Sequence, residues 1–199
     1  MTTLDQVDLI LASSSRYRRE LLARITSRFR QFAPSVDETP RIGEPAGRLA
    51  ARLALAKARA LVPDQRNALL IGSDQVADLD GAVVGKPGDA DGAIAQLLAS
   101  SGKVVTFHTA LCVIDTRTPQ PCAYRAVDRT RVHFRALQRD EIERYVERER
   151  PLDCAGSFKA EALGIALFER ITTQDPTALI GLPLIALCRL LGKAGIDVI

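Results

Sequence analysis

The sequence predicts an α/β fold, and three observations predict it. Val7 to Ala12 and Leu69 to Ile71 are short apolar runs of the buried-strand type, each passing directly into small polar residues. Pro45 to Leu61 and Asp89 to Ser100 repeat their apolar residues at helical spacing, so helices are available to cover a sheet. Lys103 to Asp115 and Cys122 to Phe134 are long strand-like runs joined by a Thr-Pro-Gln-Pro loop, which reads as a large antiparallel hairpin. With 199 residues the chain can bury a full core, either as one domain over 1–199 or as two small lobes around a cleft.

Taken in order, the Val7–Ala12 strand runs into Ser13, Ser14 and Ser15, which cap a helix over Arg16 to Ile25 with Leu21, Leu22 and Ile25 on one face. Phe29 to Val36 reads as a second strand closed by Pro34, and Asp37-Glu38-Thr39-Pro40 as a polar turn. The Pro45–Leu61 helix carries Leu49, Leu53 and Ala56 on its apolar face, with Lys57 one position further round. After Leu69–Ile71, Gly72 and Ser73 are expected to stop the strand and turn it, leaving Asp74 at its end. Val76 to Leu79 and Ala82 to Val84 then form a hairpin through Asp80-Gly81, a strong two-residue turn signal. That turn carries Lys86 back beside Asp74 and Gln75. Beyond the large hairpin come a charged helix, Arg139 to Arg150, and a small polar loop, Pro151 to Glu161. A strand from Leu163 to Phe168 and an apolar final helix after Gly181-Leu182-Pro183 complete the chain.

Composition narrows the function. Apolar residues are 47% and charged residues 26%, values of ordinary soluble domains. The net charge of +3 mildly favours an anionic ligand but is too small to argue for nucleic acid, and with no tryptophan there is no extended base-stacking platform. Cys112, Cys122, Cys154 and Cys188 are scattered without a C-x-x-C pair, so neither zinc nor a redox motif is indicated. No apolar segment approaches the roughly 20 residues of a membrane span. Asp5 and Asp8 precede the first apolar run, the reverse of a secretory start, so the chain is read as cytoplasmic.

Two stretches carry chemistry. A carboxylate held rigidly at a strand end, as expected of Asp74, is partly desolvated and aimed at the sheet rim, where open α/β folds bind ligands. It reads equally as a turn residue. Ser13 to Ser15 with Arg16, Arg18 and Arg19 at a helix start make a phosphate site, or else a solvated basic face. His108 and His133 lack neighbouring ligands and are read as structural. No Walker loop occurs.

These stretches, in this order, resemble the Maf family of nucleoside triphosphate pyrophosphatases. The match runs through Leu-Ala-Ser13-Ser-Ser15 with Arg18-Arg19-Glu20, Val36-Asp37-Glu38-Thr39-Pro40, Leu55-Ala-Lys57-Ala, Ile71-Gly-Ser-Asp74, Gly85-Lys86-Pro87, Phe134 and Gly181-Leu-Pro183-Leu, across nearly the whole chain. The resemblance implies a Maf/inosine-triphosphatase-like fold: an elongated mixed sheet with flanking helices and a central cleft between two lobes. It implies hydrolysis between the α and β phosphates with a divalent cation (Mg, Mn or Co). Asp74 falls on the family's proton-acceptor position, and Ser13, Arg18, Glu38, Lys57 and Lys86 on its phosphate and metal positions. Glu38 and Asp74 are the implied metal ligands, so Asp74 either takes a proton from the attacking water or binds the metal that acidifies it. Tyr17, Gln75 and Glu161 fall where subgroups differ and resemble the 7-methyl-GTP subgroup. A cationic methylated guanine suits an aromatic face, and a carboxylate accepts from guanine N1–H and N2–H₂. The alternatives are the dTTP/UTP subgroup and a nucleotide-binding regulator of septum formation. Arg16 stands where the family commonly has proline. The expected partner is a small nucleotide, with no nucleic acid or membrane, and with a homodimer open beside a monomer.

Overall fold

The computed structural model describes residues 2–199 and is built on a seven-stranded mixed sheet. The strands are β1 (Thr2–Thr3), β2 (Asp8–Ala12), β3 (Arg30–Phe32), β4 (Ala68–Leu79), β5 (Ala82–Val84), β6 (Val104–Asp115), β7 (Cys122–Phe134), β8 (Phe168–Thr172) and β9 (Ile196–Asp197). The helices are α1 (Arg16–Leu22), α2 (Ala46–Arg59), α3 (Ala90–Ser100), α4 (Arg139–Glu149) and α5 (Leu184–Lys193). The sheet order is β3-β2-β4-β6-β7-β8, with β5 also on β4, while β1 and β9 pair separately. Pairing is parallel among β3, β2 and β4 and antiparallel elsewhere in this sheet.

Strand β4 organises the molecule, and it corrects one expectation. Gly72 and Ser73 do not turn the chain; β4 continues through Asp74 and Gln75 to Leu79. Gly72 has a different reason to be glycine: a Cβ there would lie 2.2 Å from the Ala54 carbonyl and 2.7 Å from the Ala58 nitrogen. Helix α2 therefore rests directly on the β4 backbone. Asp74 lies inside the strand, yet at an interruption of the sheet. Strand β2 pairs with β4 as far as Ala12 opposite Gly72, and β5 pairs with it only from Ala77, opposite Val84. Residues 73–76 have β6 on one side and no strand on the other, so a crevice opens where the pairing changes direction.

The sheet is covered on both faces. On one, α2 packs Leu49, Ala50 and Leu53 against Ile10, Leu70, Ala110 and Cys112. On the other there are two apolar clusters. The first joins Leu9, Leu11, Leu69 and Ile71 to α1 and α5. The second joins Ala77, Phe107 and Val132 to α3, α4 and Phe158. Each fully buried leucine contributes about 1.5–3 kcal/mol, so the burial of Leu187, Leu190 and Leu191 fixes α5 far more firmly than helix propensity does. Between the two clusters lie the buried polar side chains of Ser73 and Thr109.

The Asp80-Gly81 hairpin forms as expected, with φ of 54° and 88°, the left-handed pair a two-residue turn requires. Three expected elements differ. The first helix ends at Leu22 and continues only as turns to Thr26. The Phe29–Val36 strand shrinks to β3, a three-residue edge pairing that ends before Pro34. Leu163 to Leu167 is a 3-10 turn rather than a strand, and the strand follows it as β8. Strand β7 pairs with β8 only from Arg131, so its outer edge before that point carries Arg125 and Arg129, exposed charges that discourage edge-to-edge association. All four cysteines are free thiols. No helix among the described residues is long and apolar enough to cross a membrane.

Candidate active site

Because α2 rests on Gly72, its last turn stands over the next residue on that face of β4, which is Asp74. Lys57 from that turn donates from Nζ to Asp74 Oδ1 at 2.6 Å and reaches Glu38 Oε1 at 2.8 Å. Lys57 is only 8% exposed and Asp74 only 6%. The end of the helix thus meets both carboxylates, and the lysine touching Asp74 is Lys57. Lys86 follows β5 to the exposed rim of the same cleft.

On the opposite side, Ser15 caps α1, its Oγ accepting from the Arg18 nitrogen at 3.4 Å. Arg18 turns its guanidinium inward. Nε donates to the Gly181 carbonyl at 2.9 Å and Nη1 to Ser13 Oγ at 3.3 Å. Ser13 Oγ also accepts from the Ser15 nitrogen at 3.1 Å. Burial pushes Arg18 below its ordinary value, while Asp74 and Glu38 oppose that shift. Burial likewise raises the Asp74 carboxyl above its usual range, against the pull of Lys57 and Arg18. A carboxylate that holds a proton more readily than usual, facing an open crevice, is suited to take one from water.

Nine residues singled out in the sequence, Ser13, Tyr17, Arg18, Glu38, Lys57, Asp74, Gln75, Lys86 and Glu161, line one cleft of about 730 Å³; of the other candidates at the helix start, Arg16 lines it and Arg19 does not. The cleft passes through the gap beside β4 from one face of the sheet to the other, because Asp74 and Gln75 are successive strand residues. On the Asp74 face it is charged, with Lys57 and Glu38. On the Gln75 face it is lined by Tyr17, Phe107, Phe158 and Leu179, with Glu161 exposed beside them.

The amide nitrogen of Gln75 is fully committed. Nε2 donates to Thr109 Oγ1 (3.0 Å) and to the carbonyls of Ala178 (2.9 Å) and Leu179 (3.0 Å). Three acceptors on one side fix the orientation of the amide, leaving its oxygen as the group free for the cleft. Tyr17 is held by Arg16, whose Nη2 donates to the Tyr17 hydroxyl at 2.8 Å and whose guanidinium lies 4.7 Å over the ring. Burial raises the Tyr17 hydroxyl to about 12 and the neighbouring Cys154 thiol to about 11, so both are neutral at physiological pH.

This arrangement accompanies a family match. The model of the Maf-like protein family matches residues 8–194. The chain belongs to that family. A 7-methyl-GTP pyrophosphatase of Xanthomonas oryzae pv. oryzae is 55% identical over 187 residues, covering 94% of this Maf-like chain and 96% of that protein. One of Thiobacillus denitrificans is 52% identical, covering 96% and 94%. Among solved structures, the Staphylococcus aureus Ham1 protein matches with a TM-score of 0.50 at 14% identity, covering 94% of this chain and 99% of that one, a likeness of fold alone.

Among the described residues of this Maf-like chain, no three His, Cys, Asp or Glu gather into a self-contained metal site. The donors present are Glu38 and Asp74, both already turned toward a cation, the Lys57 ammonium. Two carboxylates on a positive charge fit a divalent cation that takes its remaining ligands from substrate phosphates and water. Sequence reasoning missed Phe107, Phe158, Leu179 and Thr109 as cleft or support residues. Phe107 is legible only as a core aromatic, Phe158 only as part of the Pro151–Glu161 loop, and Thr109 lies in a β-strand with no motif around it.

Proposed function

We propose that the chain is a nucleoside triphosphate pyrophosphatase that hydrolyses 7-methyl-GTP to 7-methyl-GMP and pyrophosphate, removing modified nucleotides from the cellular pool. The observation that carries this reading is the buried Asp74 carboxylate, raised by desolvation and flanked by Lys57 and Arg18 at the gap beside β4. Asp74 accepts a proton from water as its oxygen bonds to the α phosphorus. The α–β bridging oxygen leaves with its electron pair on pyrophosphate. Arg18, Lys57 and Lys86 offset the charge that grows on the phosphate oxygens. A divalent cation held by Glu38 and Asp74 supplies further charge neutralisation when bound.

The apolar side of the cleft receives the base. Tyr17 already presents its ring to the Arg16 cation, and a methylated guanine carries the same charge. Glu161 and the Gln75 oxygen both accept hydrogen bonds, matching the N–H edge of guanine. Names of relatives that share half or more of the sequence support the same substrate. The test is turnover of 7-methyl-GTP, GTP, dTTP and UTP with magnesium. Preference for 7-methyl-GTP is expected. Preference for dTTP or UTP overturns the assignment of Tyr17 and Glu161, and binding without pyrophosphate release points instead to a nucleotide-responsive regulator.

A further inference from the structure

The turn from Ala178 to Gly181 closes one wall of the cleft, and the sheet grips it through hydroxyl groups. Thr109 Oγ1 donates to the Ala178 carbonyl at 2.9 Å, and Ser73 Oγ donates to the Gly181 carbonyl at 2.9 Å, a hydrogen it shares with the Ala110 carbonyl. Arg18 Nε shares that Gly181 carbonyl at 2.9 Å. Both hydroxyls are on residues with no exposed surface, between two apolar clusters where alanine or valine would pack without a polar atom to satisfy. The far end of the turn is fixed as well: Asp175, 2% exposed, accepts from the nitrogens of Thr177, Ile185 and Ala186.

The Gly181 carbonyl is thus the joint through which the sheet aims Arg18. Its direction depends on φ of +122°, a conformation other residues rarely adopt. Arg18 has a single Nε–H, and spending it on this carbonyl fixes the plane of the guanidinium, leaving the Nη groups for the cleft and Ser13. We propose that Ser73 and Thr109 are positioning residues that hold the Ala178–Gly181 turn so that Gly181 orients the Arg18 guanidinium toward a bound phosphate. The proposal rests on reading Arg18 as a phosphate ligand of the pyrophosphatase described above.

The test is the affinity of the intact protein for inorganic pyrophosphate in magnesium, by titration calorimetry, with thermal melting as the control for folding. Ser73→Ala and Thr109→Val are each expected to bind about tenfold more weakly, with kcat/KM falling in parallel. Thr109→Ser, which keeps the hydroxyl, is expected to restore binding. In an Arg18→Ala background neither change is expected to weaken binding further, because the residue they act through is gone. Equal losses with and without Arg18, no loss at all, or a wild-type protein that binds no pyrophosphate overturns the proposal. Coupling to Arg18 in a protein that hydrolyses no triphosphate would refute the pyrophosphatase reading and leave the positioning role standing. Turnover without coupling would do the reverse.

Discussion

Replacing Asp74 with asparagine separates chemistry from structure at this site. An asparagine oxygen can still accept from Lys57 Nζ, which lies 2.6 Å from Asp74 Oδ1, so the side chain keeps its placement and loses its negative charge and its capacity to take a proton. Removing a positioned base costs about 10²- to 10⁴-fold in rate, or about 3–5 kcal/mol of barrier. Stability should move the other way. Burial raises the carboxyl pKa in the fold, so the folded state binds the proton more tightly than the unfolded chain does. Ionised Asp74 therefore destabilises the fold above its folded pKa, and that cost shrinks as pH falls through the folded value and is gone below the unfolded one. The neutral amide carries no such cost. The Asp74→Asn protein is expected to melt no lower than wild type at neutral pH, with any advantage shrinking in acid, while substrate still binds. Pyrophosphate release at saturating 7-methyl-GTP and magnesium, together with melting at several pH values, checks both halves. Turnover above about a tenth of wild type would refute the assignment of Asp74 as proton acceptor.

Three further outcomes follow from named contacts. Lys57→Met removes the charge that holds the Asp74 pKa down, so the acid limb of the kcat/KM profile moves to higher pH; a shift to lower pH contradicts the pairing. Gly72→Ala places a methyl group against rigid α2 backbone and is expected to cost about 1–3 kcal/mol, roughly 2–12 °C in Tm, with an unchanged melting curve counting against the close approach. Tyr17→Leu removes the aromatic face and should raise KM for 7-methyl-GTP by about 2- to 30-fold, an effect absent for dTTP if the ring reads charge.

Much of this architecture was legible locally. The Asp80-Gly81 turn, the helical spacing of α2 and the apolar run of β4 are short-range signals, and each forms. The failures have a common physical cause. Gly72-Ser73 resembles a chain break, but its glycine answers to a helix packed from elsewhere, a reason no window around it contains. Leu163–Leu167 is apolar enough for a strand, yet folds back so that the Gly164 nitrogen donates to the Lys159 carbonyl. The site residues follow the same division. Those in ordered motifs, from Ser13 to Glu161, reach one cleft. Thr109 and Asp175 act through carbonyls and amides, which leave no trace in side-chain pattern, and Thr109 meets its partner 69 positions away. Lys57 lay between the two kinds: its helix was evident, while its burial against Asp74 depended on Gly72.

In the proposed reaction water attacks the α phosphorus at Asp74. Hydrolysis of 7-methyl-GTP in ¹⁸O-labelled water, with products resolved by mass spectrometry, tests it directly. Label is expected in 7-methyl-GMP, with the pyrophosphate unlabelled. Label in pyrophosphate, or release of inorganic phosphate in its place, would contradict it.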